Sequence, residues 1–296
     1  LHRAVQLAKR DPRATVLLTT FSTALANALT VKLDRLAGAA TEIRRRIRVI
    51  AIQDLGKALY RESFGDPVLA TEADIQALLS SAGGGAQFQP AFLLSEWSTV
   101  VDAWHISSWE AYRDVPRLGR KTRIGGKQRE QLWVVFDQVR NGLASAGKIT
   151  WSALFARLTE HIETVSKPPF DYAVIDEAQD MGIAELRFLA RLGSKRPDAL
   201  FFAGDLGQRI FQQPFSWKAL GIDVRGRSNT LRINYRTSHQ IRTQADKLLP
   251  GLIADVDGIE DSRRSTQSVF NGPPPQIETY ADPDAEAEGV AAWIKG

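Results

Sequence analysis

Two adjacent carboxylates, Asp176 and Glu177, end the apolar run Ala173, Val174 and Ile175 within the stretch FDYAVIDEAQD at 170–180. A short apolar run bounded by polar residues reads as a buried parallel strand, which puts both carboxylates at its carboxyl end. That placement suits Mg-nucleotide chemistry, in which one carboxylate holds the hydrated metal and the other orients or deprotonates a water aimed at a phosphate. A solvated strand end is the plainer reading of the pair taken alone. Two further segments change the balance: GDLGQ at 204–208 follows the next apolar run, and NYR at 234–236 follows the one after that. Gln208 can hydrogen-bond a phosphate oxygen or the attacking water, Tyr235 offers a stacking face, and Arg236 offers a planar fork for phosphate. Each also has a bland role available, Asp205 as a turn former, Gln208 as a surface amide and Arg236 as an ion-pair partner. Successive strands that all end in complementary polar residues favour one shared site.

Alternating strands and helices are needed to hold such residues. The sequence predicts strands at 15–19, 47–52, 172–175, 199–203 and 230–233, and helices at 24–36, 55–64, 183–192 and 238–249. Leu25, Leu29, Leu33 and Leu36 share one face of the first helix in that set,. This alternation implies the α/β class, with a parallel sheet whose functional edge is its carboxyl side. From 66 to 165 helical patterns run almost throughout, broken by Gly83, Gly84 and Gly85 and by a polar, basic loop at 117–126. A helical block of that length between two strands of one sheet reads as an inserted subdomain. Trp97, Trp104, Trp109, Trp133 and Trp151 fall at helical spacing and read as core rather than as base-stacking groups,. The basic stretch RLGRKTRIGGKQR at 117–129 reads equally well as a phosphate contact and as a solvated loop,. Polar residues at 255–268 carry no clear pattern, and the prolines Pro273 to Pro275 precede an expected strand at 276–280 and helix at 285–294.

The chain has 296 residues, a net charge of +4 and no cysteine. Disulfide scaffolds and cysteine-ligated metals are thereby excluded, and a cytoplasmic location is expected. No stretch approaches the roughly 20 consecutive apolar residues of a membrane span, so no membrane partner is expected. The modest basic excess permits a nucleic-acid partner without demanding one. Val5, Leu7 and Ala8 already belong to a helix in progress after Leu1, and the last unit stops abruptly, so the sequence reads as continuing beyond both ends.

With these motifs in view, the sequence resembles the UvrD/Rep-type superfamily 1 helicases. DEAQD at 176–180 looks like the family's second motif, GDLGQRIF at 204–211 like its third, and LRINYRTSHQI at 231–241 like its fourth. LLTTFSTALANAL at 17–29 is similar to the segment just after the family's phosphate loop. The resemblance covers essentially the whole chain. It implies a RecA-like parallel sheet with a large helical insertion and the start of a second RecA-like domain. Residues 1–65 and 166–230 would form the first RecA-like domain, 66–165 the insertion, and 231–296 the beginning of the second domain.

The resemblance also implies roles. Asp176 and Glu177 would hold Mg2+, with Glu177 as the base that activates water, Gln208 as a γ-phosphate sensor, Tyr235 stacked on adenine, and Arg236 as a finger on the γ-phosphate. Thr20, Phe21, Phe211 and Trp217 would face single-stranded DNA, where aromatic rings stack bases without sequence preference. The implied activity is ATP-driven movement on single-stranded DNA, 3′ to 5′, with duplex junctions as a further partner. Two departures accompany the likeness. No GxxxxGK[ST] phosphate loop occurs in the chain, so the loop is expected just ahead of Leu1 and the chain itself is expected to lack ATPase activity,. The segment QQPFS also separates Phe211 from Trp217, where the family places a base-stacking tryptophan sooner, so Trp217 reads equally as a stacking group on a longer loop and as a packing residue. A catalytically silent nucleic-acid-binding module of the same shape is the alternative, and a kinase-like hydrolase fits GDLGQ and NYR less well.

Overall fold

The computed structural model describes residues 1–38, 40–83, 87–116, 124–205, 215–248, 252–254, 256–258, 260–262 and 266–295. Helix α1 (His2–Arg10) leads into β1 (Val16–Thr20), followed by α2 (Thr23–Ala37), α3 (Thr41–Arg45), β2 (Ile47–Ala51) and α4 (Ile52–Phe64). After a helical region come β3 (Tyr172–Ile175), a 3-10 turn at Ala178–Asp180, α10 (Ile183–Gly193) and β4 (Leu200–Phe202). The four strands form one parallel sheet in the order β2-β1-β3-β4. Its two central strands read as unbroken apolar runs because helices cover both faces. The alternation of side chains assigns them: Leu17, Ala173 and Ile175 join α4 and α10 on one face, while Val16, Leu18 and Val174 join α1 and α2 on the other,. This mixed α/β arrangement agrees with the class read from the sequence, and the strand expected at 15–19 is shifted by one residue.

Between β2 and β3 the regular structure is helical: α5 (Glu72–Ser81), α6 (Pro90–Glu96), α7 (Trp109–Asp114), α8 (Gly126–Ser145) and α9 (Trp151–Thr164), with a π-helix at Trp97–Asp102. Leu132, Val135, Phe136, Val139 and Leu143 recur on one face of α8 and pack with Ile75, Leu79, Leu93 and Trp97 into a separate core,. Trp104, Trp109 and Trp133 pack against that core, and Trp151 packs against the core beneath the sheet. The tryptophans are therefore packing residues, as their spacing implied. The π-helix ends on Asp102, whose carboxyl accepts the Thr150 hydroxyl at 2.5 Å and is pushed up to about 6 by burial. Part of the basic stretch, 117–123, lies outside the described residues, as do Gly84 and Gly85; 126–129 begin α8.

The chain divides into two compact units, the first comprising Leu1–Val224 with Asp255–Asp257 and the second Arg225–Ala254 with Gly258–Gly296. In the second unit β5 (Ile233–Asn234) pairs in parallel with β8 (Gln267–Ser268), α11 (His239–Asp246) follows β5, and β6 (Leu252–Ala254) pairs antiparallel with β7 (Glu260–Ser262). The strand expected at 276–280 is not formed: 271–280 hold neither helix nor strand. Three prolines just upstream remove backbone donors, and Gln276 instead accepts the Trp293 indole N–H at 3.3 Å from α12 (Pro283–Lys295),. Among the described residues no helix is long and apolar enough to cross a membrane.

Candidate functional site

From β1 the chain goes to β2 on one side, and from β2 it crosses to β3 on the other, so the carboxyl ends of β1 and β3 meet where the connections diverge. Open parallel sheets place ligands at such a point. The Asp176 amide donates to Thr19 O at 2.9 Å, and the β1–β3 register, carried one step further, brings Asp176 level with Thr20. Thr19 and Thr20 are both fully buried, and neither hydroxyl has a hydrogen-bond partner among the described residues. Buried hydroxyls without partners are uncommon and costly, and here two occupy consecutive positions, on opposite faces of β1, at the carboxyl end of a sheet that carries two carboxylates,.

Glu177 departs from strand geometry with φ 52°, in the left-handed region. For a residue with a side chain this costs roughly 1 to 3 kcal/mol and persists only where neighbours enforce it. Gln179, only 3% exposed, supplies the enforcement. Its amide nitrogen donates to Glu177 Oε2 at 2.6 Å, and its amide oxygen accepts the Asp205 N–H at 3.1 Å. The backbone donor at Asp205 fixes which end of the amide is oxygen and leaves nitrogen for the carboxylate. Gly204 makes room for this arrangement: a Cβ there would lie 2.4 Å from Gln179 Oε1 and 3.1 Å from Ala178 N. Asp180, one residue past Gln179, has its carboxyl raised by desolvation and by the charge of Glu177.

The rim is tied by short polar links. Ser22 caps α2 by accepting Leu25 N–H at 3.2 Å, and Thr23 donates to Asp54 at 2.9 Å, joining α2 to the first turn of α4. Glu185, buried in the first turn of α10, accepts the Gly182 N–H and bonds the Gln53 side chain; burial raises its carboxyl. Phe21 projects from the β1 end with 41% of its surface exposed.

The sequence-derived site residues therefore separate into groups. Asp176 and Glu177 come together with Thr20 at one edge. Thr20, expected to touch DNA, offers no surface to a strand, whereas Phe21 does. Trp217, read from the sequence either as a DNA contact or as a packing residue, is buried with its ring 5.1 Å from those of both Phe202 and Phe215, which is the packing alternative. Gln208 and Phe211 lie outside the described residues. Tyr235 and Arg236 belong to the second unit, in a turn set by Asn234, whose side-chain oxygen accepts Arg236 N–H at 2.9 Å and Thr237 N–H at 3.1 Å. Gln179 had no role assigned from sequence although it sits inside DEAQD. A carboxamide two residues past a strand-end carboxylate is its only trace in the sequence.

The donor set has a clear chemical limit. Among the described residues no group of three or more His, Cys, Asp or Glu side chains is placed to hold a metal ion. Asp176 and Glu177 are nonetheless the right donors for Mg2+, which keeps several waters and is bound through one or two carboxylates together with substrate phosphates. No family model matches the chain, and no curated protein matches it.

Proposed function

We propose that this chain forms the metal-and-water side of an ATP-driven motor that moves on single-stranded DNA, of the superfamily 1 helicase type. The observation that carries the reading is the edge formed by Asp176, Glu177 and the two unpartnered buried hydroxyls of Thr19 and Thr20 at the divergence point of a parallel sheet. In this reading the sheet is RecA-like, 66–165 form a helical insertion with its own core, and 231–296 open a second RecA-like domain. Asp176 holds Mg2+, which when bound neutralises phosphate charge, and Glu177 takes a proton from the attacking water. Gln208 senses the γ-phosphate, Tyr235 stacks on the base, and Arg236 stabilises charge on the transferring phosphoryl group. Movement runs 3′ to 5′, and the location is cytoplasmic. The exposed ring of Phe21 would equally serve a rival reading, a catalytically silent nucleic-acid-binding module of the same shape, which leaves Asp176 and Glu177 without a task.

DNA binding tests the motor reading on the chain itself. Fluorescence anisotropy with a labelled oligothymidine is expected to show salt-sensitive binding that Phe21→Ala weakens about 5- to 100-fold, the range for losing one base–aromatic stack. Absence of binding, or equal binding by Phe21→Ala, overturns it. The silent module is told apart by hydrolysis: it binds the oligonucleotide and stays inert when nucleotide and a phosphate loop are both supplied.

A further inference from the structure

We propose that Gln179 is a positioning residue that makes the carboxyl end of β4 and the Glu177 carboxylate move as one. The inference rests on the motor reading for its consequence, and on geometry for its substance. Among the described residues, hydrogen bonds link the β3 end to the β4 end at three places. Ala203 N–H donates to Ile175 O at 2.8 Å and Ala178 N–H donates to Ala203 O at 2.9 Å, which are backbone contacts any residues could make. The third is the Gln179 side chain, which reaches from a backbone amide of the β4 end, Asp205 N–H, to a reactive group, Glu177 Oε2.

A carboxamide suits that bridge, since it accepts from a backbone N–H and donates to a carboxylate from a single rigid plane. Glutamate would keep the acceptor but set a second carboxylate against Glu177, and asparagine is one methylene too short. Gln179 itself is buried whereas Glu177 and Asp205 are half-buried, so leaving either end of the Gln179 amide unpaired is costly,. Gly204 is required by the same contact, since any side chain at that position would meet the Gln179 oxygen. Glu177 sits in the left-handed region, and the hydrogen bond from the Gln179 amide orients its carboxylate there.

The consequence is directional. A change at Gly204–Asp205, which opens the segment expected to sense the γ-phosphate, is passed to the base through one amide plane. Displacing Gln179 re-aims Glu177 without touching the metal carboxylate Asp176. This gives the hydrolytic group a mechanical link to the neighbouring strand that a carboxylate on a plain strand end lacks.

Amide hydrogen exchange at Asp205, read by NMR on the chain itself, tests the link. Glu177→Gln removes the charge from the far end of the bridge and is expected to speed Asp205 exchange about five-fold, the size of one charge-assisted bond made neutral. With Gln179→Leu in place, the same change at Glu177 is expected to leave Asp205 exchange unaltered. Gln179→Glu keeps the acceptor arm and gives the test a second form should the leucine variant fail to fold. There Glu177→Gln relieves repulsion and slows exchange, reversing the sign. Asp205 exchange indifferent to Glu177→Gln in the parent chain, or shifted equally with Gln179→Leu, overturns the proposal. Turnover distinguishes this from the motor reading: in a form that hydrolyses ATP, Gln179→Leu lowers kcat at unchanged KM, whereas exchange coupling without hydrolysis in any form sinks the motor reading and leaves the bridge intact.

Discussion

The carboxyl ends of β3 and β5 deliver polar residues of similar promise in opposite ways. After β3, the side chains of Glu177 and Gln179 are locked to each other and to the β4 end, beneath a rim of capped helices. After β5, Asn234 spends its side chain on the backbone of the turn, and Tyr235 is left 73% exposed. In the first case the side chains are held by half-buried hydrogen bonds. In the second the backbone alone is held, and the side chains wait for something to bind. A base that must aim a water benefits from the first device, and groups that close on a nucleotide from the second.

This contrast yields predictions that separate chemistry from stability. In a form of the protein that carries a GxxxxGK[ST] segment, Arg236→Ala is expected to cut kcat roughly 1000-fold, the lower range for an arginine finger, with melting temperature and oligothymidine affinity unchanged. Normal turnover in that variant removes Arg236 from the site. Phe188→Ala does the reverse. Its ring is fully buried in α10 and lies 5.6 Å from that of Phe155, so truncation is expected to cost about 4 kcal/mol in urea unfolding,. A loss under about 1 kcal/mol would show that α10 is not the support of the β3 end.

Glu185 gives the contrast a pH dependence. Burial raises its carboxyl in the folded chain, so the folded state binds the extra proton and stability falls as pH rises above the carboxyl's unfolded value of 4.5,. Glu185→Gln is expected to flatten that fall, by at most about 1.4 kcal/mol per pH unit, in urea titrations across pH 4 to 8. An unchanged slope would remove Glu185 as its source. The smallest effect is expected at the β5 end, where Tyr235→Ala should alter unfolding free energy by less than about 0.5 kcal/mol, since its ring is solvated,. A larger loss would mean that this turn too is held by its side chains.

Legibility in the sequence followed the same division. Ala173, Val174 and Ile175 are apolar on both sides of the strand, so β3 and its terminal carboxylates could be read directly. Gln179 could not, because its role depends on the left-handed turn at Glu177 and on the missing side chain at Gly204, which are properties of tertiary approach. The DNA role of Thr20, and the stacking alternative for Trp217, rest on likeness alone; both residues are buried, and of that set Phe21 is exposed among the described residues. The second unit was least legible. Its described strands are two or three residues long, too short for periodicity to show, and the expected strand at 276–280 follows a proline run that removes backbone donors,.

The most direct test of a hydrolytic β3 end is ATP turnover, with and without single-stranded DNA, in a form of the protein that includes a GxxxxGK[ST] segment, set beside its Glu177→Gln variant. DNA-stimulated hydrolysis that falls at least about 100-fold in Glu177→Gln, with nucleotide and DNA binding retained, is the predicted result. Turnover that persists undiminished in Glu177→Gln would contradict the assignment of Glu177 as the base.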